Sequence, residues 1–561
     1  MSKTYRPTNP ISTLRLPYRD ATQFMSQSDL QFFKENFVRL NSIEELLNKP
    51  SVFIIGDKGS GKSAFATYFS NSMDLSVNGT SLLFEKTDYD SFSNFAKGSG
   101  DLRMADYSGI WTSLLLVHLL SFLAHSSSEL YRKDDKLQRF KEILNSFGHD
   151  QPLARFGASF DLVCWNRESF YSALKERFPP SADRPVGLPQ QMPTDFRTYL
   201  SSLNGFLARL VKDCPDPDKK YFAFIDGLDV QSFEFSLNSS GNEKLQTICI
   251  SGLVDAAWKL NRDVLFKKFN HDVRVVVLIR PDIFERVGFH NTGTKLADNA
   301  IFLNWNTKAR GFEHSEFFKI ANRLLEPLVT TTLSDDSPDV GSSSAPNDEE
   351  HAVISDCPWN AVFNTMFVTN SKKYRHTFVE FLYNSFSRPR DLVVFLDTVK
   401  TTMSDRNIGD QLTVNAKIFR DPILRQKYSE YLKSEVKDAI SFYYSNADFD
   451  IMEKFFEFLS EELTYFEFSH SDYEKAFARL NQYISDSKAK AAPIYDTPDG
   501  FLQFLYEQNI IGAITKGAKS TITLFAMSVR NSSTLRPRVP SADRYRLHGG
   551  VARALYPSRI S

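Results

Sequence analysis

The run FIIGDKGSGKSAFATYF, residues 53–69, joins an apolar stretch to a glycine-rich loop that ends in Gly-Lys-Ser and opens into a helical pattern. Gly56-Asp57-Lys58-Gly59-Ser60-Gly61-Lys62-Ser63 has the spacing G-x-x-x-x-G-K-[ST]. Glycines at those positions let successive backbone N–H groups curl around an anion without side-chain clash, and the helix that follows adds the positive end of its dipole. Lys62 is then expected to reach the β- and γ-phosphates of a nucleotide, and the Ser63 hydroxyl to ligate Mg²⁺. Residues 56–64, Ala64 included, form the expected nucleotide cradle. A plain glycine turn needs neither a strand before it nor a helix after it, and the pattern supplies both.

A loop that grips a triphosphate needs a carboxylate opposite it to hold the metal, usually at the end of a neighbouring buried strand. The stretch YFAFIDGLD, residues 221–229, supplies one. Its apolar run, Tyr221 to Ile225, predicts a strand buried on both faces, and Asp226 falls where that strand emerges at the ligand end of a parallel sheet. Asp226 is therefore the expected Mg²⁺-linked carboxylate, acting through water, and Asp229 is suited to orient the attacking water. The next apolar strand ends in VVVLIRPD, residues 275–282, so Arg280 takes the position of Asp226 one strand over. A cation there reads the γ-phosphate or stabilises transition-state charge, or else pairs with a nearby carboxylate.

The whole chain bounds what surrounds these motifs. Its 561 residues exceed one core and suit roughly three or four domains. With 42% hydrophobic and 24% charged residues, and 49 phenylalanines to fill several cores, disorder throughout is excluded. The net charge of -1 gives no global field toward nucleic acid or anionic lipid, so such binding would need a local patch. Cys164, Cys214, Cys249 and Cys357 lie far apart, which predicts free thiols and neither a disulfide nor a zinc site. The N-terminal MSKTYRPTNPISTLRLPYRD lacks the apolar run of a secretory signal. WTSLLLVHLLSFLA, Trp111 to Ala124, is shorter than the roughly 20 residues that span a bilayer and carries His118, predicting a buried helix. A cytoplasmic protein without a membrane partner is expected.

Along the chain, residues 1–30 are polar and proline-punctuated and suggest an N-terminal extension. Residues 31–310 alternate apolar strands, among them TSLLFEKTDY (80–89), KYFAFIDGLDV (220–230) and AIFLNW (300–305), with helical stretches near 105–175, 197–214 and 243–269. That alternation predicts α/β architecture with a parallel sheet and helical insertions. The proline-rich RFPPSADRPVGLPQQMP (177–193) predicts an exposed loop. Residues 311–445 are mainly helical but hold the acidic, serine-rich LSDDSPDVGSSSAPNDEE (333–350), expected to be disordered. From 446 to 561, helices followed by a hairpin pattern suit a winged helix.

Taken together, GDKGSGKS, FIDGLD and LIRPD resemble the phosphate loop, second motif and strand-end motif of the STAND class of P-loop NTPases, especially its NACHT-like and bacterial branches. The resemblance covers about residues 30–305. It implies a following helical lid domain and a C-terminal winged-helix-like domain. SRPRDLVVFL (387–396) looks like the lid helix whose Arg-Pro step approaches the nucleotide, making Arg388 and Arg390 candidates; they could equally be arginines beside a helix start. RYRLHGGVARAL (544–555) looks like a histidine-centred motif in which His548 would touch the β-phosphate of ADP. Packing of that histidine at a strand-to-helix junction is the competing reading. Gly549 stands where the family often has Asp, and Val230 where it often has an acid.

Two function classes follow. In the first, ATP or GTP with Mg²⁺ binds between the α/β domain and the lid, and hydrolysis toggles the winged-helix domain between docked and released positions. The resemblance implies a role in bacterial signalling or anti-phage defence, a sensor or effector protein acting in trans, and a homo-oligomer on activation. In the second, the chain is a nucleic-acid-binding ATPase that uses the seven arginines, against one acid, between Arg530 and Arg559. DYEKAFARLNQYI (472–484) would then be the recognition helix, and its balanced charge favours the first class. A structural remnant of a nucleotide fold is disfavoured because the lysine, the serine and the carboxylates are all intact.

Overall fold

The computed structural model describes residues 2–556 except 72, 75, 100–101, 180–187, 229–241, 288–297, 335–354, 364–365, 369–373, 464–465, 489–490, 517–520 and 532–533. Within it, five apolar runs form one parallel sheet: β1 (Phe53–Gly56), β2 (Val77–Leu83), β3 (Lys220–Asp226), β4 (Val273–Ile279) and β5 (Ala300–Leu303). Their spatial order is β2-β3-β4-β1-β5. The register places Ile55 beside Ile279 and Phe302, and Leu83 beside Asp226. The strand bearing Asp226 thus lies two over from the strand bearing the glycine loop, with β4 between them.

Alternation of side chains sorts the two faces. On one, Phe222 and Phe224 join α1 (Asn41–Asn48) and α2 (Lys62–Ser70) through Ile43, Phe65 and Phe69. On the other, Tyr221, Ala223 and Ile225 pack into a larger core that includes α3 (Met104–Ala124), α4 (Phe196–Lys212) and α5 (Asn242–Leu260). α3 is apolar on every side, as a helix enclosed by others must be. It is long and apolar enough to span a bilayer, yet 89% of its apolar window is buried inside the protein. The result is a mixed α/β chain with a parallel sheet among many helices.

One local expectation changes. The strand predicted at 80–89 ends at Leu83, and Lys86–Ser99 is helical, because Asp88 turns back to accept the Glu85 N–H at 2.6 Å and starts the helix. Within the N-terminal extension, residues 2–30 are tied to later elements. Ser2–Pro7 pairs antiparallel with Val329–Ser334, and Ile11 and Leu14 are buried in the same core as the later helices. Sparse apolar residues in a polar stretch were enough to anchor it. Apart from residues 333 and 334, the insertion expected to be disordered lies outside the described residues, as do residues 180–187 of the proline-rich loop.

The rest of the chain builds α6 (Glu316–Leu325), α7 (Pro389–Asp405), α8 (Pro422–Tyr443), α9 (Asn446–Ser460), β6 (Glu467–Ser469), α10 (His470–Ser487), α11 (Pro498–Glu507), β7 (Ile511–Lys516), β8 (Thr521–Leu524), β9 (Arg544–Leu547) and α12 (Gly549–Leu555). The strands form an antiparallel sheet in the order β6-β9-β7-β8. One buried apolar cluster runs without a break from the helices before residue 445 to Tyr556, so the boundary expected there is not a gap in packing. Ser445 and Ser469 each cap a helix start with an Asp three residues on, at α9 and α10. Cys164, Cys214, Cys249 and Cys357 are free thiols.

Candidate functional site

The glycine loop sits at the carboxyl end of β1 and runs into α2, as the motif requires. Gly59 and Gly61 have φ of 79° and 95°, and a Cβ on Gly59 would come within 3.1 Å of the Arg390 side chain. The N–H groups of Gly59, Gly61 and Ser63 find no hydrogen-bond acceptor among the described residues, and neither does the Ser63 hydroxyl. Converging donors of this kind at a helix start suit an anion. Lys62 is buried and its Nζ bridges the loop, donating to the Gly56 carbonyl at 2.9 Å and the Asp57 carbonyl at 3.2 Å. Trp305, at the end of β5, fixes the loop's far side by donating to the Ser60 carbonyl at 2.8 Å.

Over this loop opens a cavity of about 360 Å³. Lys58 to Phe65 and Asp226 line its polar end, so the structure brings Lys62, Ser63, Ala64 and Asp226 to one space despite the strand between β1 and β3. The same cavity is lined by the apolar side chains of Phe33, Phe37 and Leu40 and by Ile320, Leu324 and Val393 of α6 and α7. A phosphate cradle beside an apolar slot matches the two halves of a nucleotide. Ser63 and Asp226 supply hard oxygen donors of the kind that bind Mg²⁺ directly or through water, so the residues present fit that ion. Asp229 and Val230 lie outside the described residues.

The remaining candidates separate. Arg390 lines the cavity, with its N–H 3.4 Å from the Gly59 carbonyl and its Nε donating to the Arg19 carbonyl at 3.1 Å. Arg388 does not line it. Its guanidinium holds the loop from behind, donating to the Lys58 carbonyl at 2.9 Å and pairing with Asp391 at 2.7 Å and Glu435 at 3.0 Å. Burial works against that charge, but Asp391, Tyr431 and Glu435 outweigh it and hold the guanidinium well above its ordinary pKa. Arg280 is buried and grips Asp282 with two nitrogens, at 3.1 and 2.6 Å. It borders a smaller recess that includes Asp57 and Lys58 rather than the cavity with Lys62 and Asp226, which corresponds to the carboxylate-pairing alternative.

His548 also sits elsewhere. It caps α12 at the junction with β9, its Nε2 lies 3.0 Å from the Ser385 carbonyl, and its ring packs on Phe386. The cavity is lined without it. Burial pushes its pKa from the ordinary 6.5 down to about 4. The unfolded chain binds that proton near pH 6.5 and the folded chain only near 4. Stability from the neutral ring is therefore complete above pH 6.5 and is lost as pH falls toward 4, at about 1.4 kcal/mol per pH unit. Denaturant unfolding at pH 7, 5.5 and 4.5 should show this slope, and a His548→Asn variant a shallower one. Equal slopes would mean that His548 titrates normally.

Sequence reading missed the contact that joins the two ends of the chain. Arg530 forms an ion pair with Asp57 inside the glycine loop and donates to the Glu507 carbonyl at 3.2 Å. Asn304 and Asn306, just past β5, reach the carbonyls of Arg530 and Ser528. Lys58 pairs with Asp438 of α8 at 2.7 Å. Arg530 had registered only as one of a basic group, whereas Trp305 could have been found from its place at the ligand end of a predicted strand. No family model, no curated protein and no solved structure matches this chain.

Proposed function

We propose that this chain is a Mg²⁺-dependent nucleoside triphosphatase working as a nucleotide-operated switch of the STAND type, in which residues 311–445 act as a lid and residues 446–561 as a winged-helix-like unit. The observation that carries this reading is the single cavity in which unpartnered loop N–H groups, Ser63 and Asp226 face an apolar slot walled by α6 and α7. Lys62 neutralises phosphate charge, the loop amides orient the β- and γ-phosphates, and Ser63 with Asp226 would hold Mg²⁺, which supplies Lewis-acid charge on the transferring phosphoryl group. ATP and GTP both satisfy these features.

The switch part of the proposal draws support from the contacts of the C-terminal half with the loop itself. A ligand shifts a conformational equilibrium only through different contacts in its two states. Here Arg530, Arg388 and Asp438 all touch residues 57 and 58, so a nucleotide that reshapes the loop alters the grip of three elements at once. The order α9-β6-α10-α11-β7-β8 supports the winged-helix reading, and it makes α11, not the predicted segment 472–484, the helix ahead of the hairpin. A sensor or effector in trans, assembly into a homo-oligomer and a cytoplasmic role in signalling or defence against phage belong to this same reading.

The nucleic-acid alternative draws less support. Arg530, Arg536, Arg544 and Arg546 each pair with a carboxylate, and α11 carries Asp499 and Glu507 with no basic residue. The switch reading is tested at its latch. Arg530→Ala removes an ion pair worth about 1 kcal/mol, which is roughly fivefold in a rate. Release of a fluorescent nucleoside diphosphate, followed by stopped flow, should quicken by about that factor and the hydrodynamic radius should grow. Unchanged release and unchanged radius would detach the C-terminal half from nucleotide handling.

A further inference from the structure

A triphosphatase also needs a group to take the proton of the attacking water, and the position next to Asp226 cannot carry one. Gly227 has φ of 85°, and a Cβ there would lie 2.3 Å from the Phe84 carbonyl oxygen. What fills that space is the end of the neighbouring strand. Leu83 is in register with Asp226, and the Phe84 N–H donates to the Asp226 carbonyl at 2.8 Å. The backbone that forbids a side chain after Asp226 is thus the segment that carries Glu85, two residues beyond the level of Asp226.

The face is also right. Val77 and Gly79 of β2 pack toward Phe69 of α2, whereas Leu82 and Phe84 enter the core on the opposite side. Continuing that alternation, Glu85 falls on the face of α2, Lys62 and Asp226. Its backbone is set by the Asp88 carboxylate, which accepts the Glu85 N–H. Its own carboxylate is exposed, has no ion pair or hydrogen bond among the described residues, and lies near the Asp88 carboxylate, whose pKa is pushed up to about 6 by burial above all, with the Glu85 charge adding to it. Along the rim of the sheet the order is Trp305 beyond β5, the loop at β1, Asp226 at β3 and Glu85 at β2. Asp226 lines the cavity, and Glu85, one strand further along the rim, stands outside that lining and open to solvent, the next carboxylate beyond a triphosphate held by the loop and Asp226.

Resting on the triphosphatase reading above, we propose that Glu85 is the general base for hydrolysis. Water attacks the γ-phosphorus as its proton passes to the Glu85 carboxylate. The new P–O bond forms on the water oxygen, the bond to the β-bridging oxygen breaks with its electron pair, and inorganic phosphate and the nucleoside diphosphate leave. The proton on Glu85 is then returned to solvent or to phosphate.

The test compares wild-type protein with Glu85→Gln, Glu85→Asp and Asp229→Asn, all as the full chain, using Mg²⁺-ATP and Mg²⁺-GTP. Single-turnover hydrolysis should fall by about 10²-fold or more in Glu85→Gln. Nucleotide affinity by calorimetry should stay within about twofold of wild type, and the melting temperature should not move, as suits an exposed side chain without partners. Nucleotide extracted after incubation should be triphosphate from Glu85→Gln and diphosphate from wild type. Glu85→Asp should recover part of the rate. Hydrolysis by Glu85→Gln within about threefold of wild type, with the loss appearing in Asp229→Asn, would overturn the assignment while leaving the triphosphatase intact. Wild-type protein that neither binds nor cleaves nucleotide would overturn both.

Discussion

Lys62→Ala is expected to lower triphosphate turnover by about 10²-fold or more while the protein stays folded. The Lys62 ammonium is the loop's buried cation, and it donates to the Gly56 and Asp57 carbonyls beside the unpartnered N–H groups of the loop. Without it, two adjacent phosphates keep their repulsion and the transition state loses its closest protein cation. The loop should survive the change because Trp305 and Arg388 fix it through the Ser60 and Lys58 carbonyls. Asp226→Asn should act differently, raising the Mg²⁺ concentration needed for turnover, since the amide keeps the shape but not the charge. A phosphate-release assay with a magnesium titration separates the two. Wild-type turnover in both variants would remove the cavity from the chemistry.

Arg388→Ala should produce the largest stability loss. Asp391 is fully buried and Glu435 nearly so, and both face the Arg388 guanidinium. Truncating one partner of such a group leaves an uncompensated buried charge, at a cost of about 3–5 kcal/mol. Tyr431 still donates to Asp391 at 2.8 Å and softens the loss without cancelling the charge. The same change frees the Lys58 carbonyl, so nucleotide affinity should fall along with stability. Urea unfolding with an added nucleotide checks both. A loss below about 1 kcal/mol would mean that Asp391 is neutral or hydrated rather than paired.

The glycine loop and both principal strands were legible because each rests on local rules. Apolar runs predicted β1, β3 and β4, and fixed spacing predicted the cradle at residues 56–64. That Asp226 and the loop share a cavity follows from strand polarity: every strand of a parallel sheet presents its carboxyl end on one rim. The identity of the strand between them was not legible, because strand order is a matter of long-range packing. Arg280 shows the limit more sharply. Its rim position was correct, yet Asp282, two residues on, captured its guanidinium. Arg388 and Arg390 are two residues apart, and only three-dimensional placement separates the one that grips the loop from behind from the one that borders the cavity. The Arg530 contact with Asp57 spans 473 positions of chain, beyond any local pattern.

Calorimetric titration of Mg²⁺-ATP and Mg²⁺-GTP into the intact chain, repeated with Lys62→Ala, tests the central claim most directly. Saturable uptake of one nucleotide per chain by the wild-type protein, weakened at least tenfold by the substitution, is the result this account requires. No uptake of either nucleotide, or equal uptake by both proteins, would contradict it.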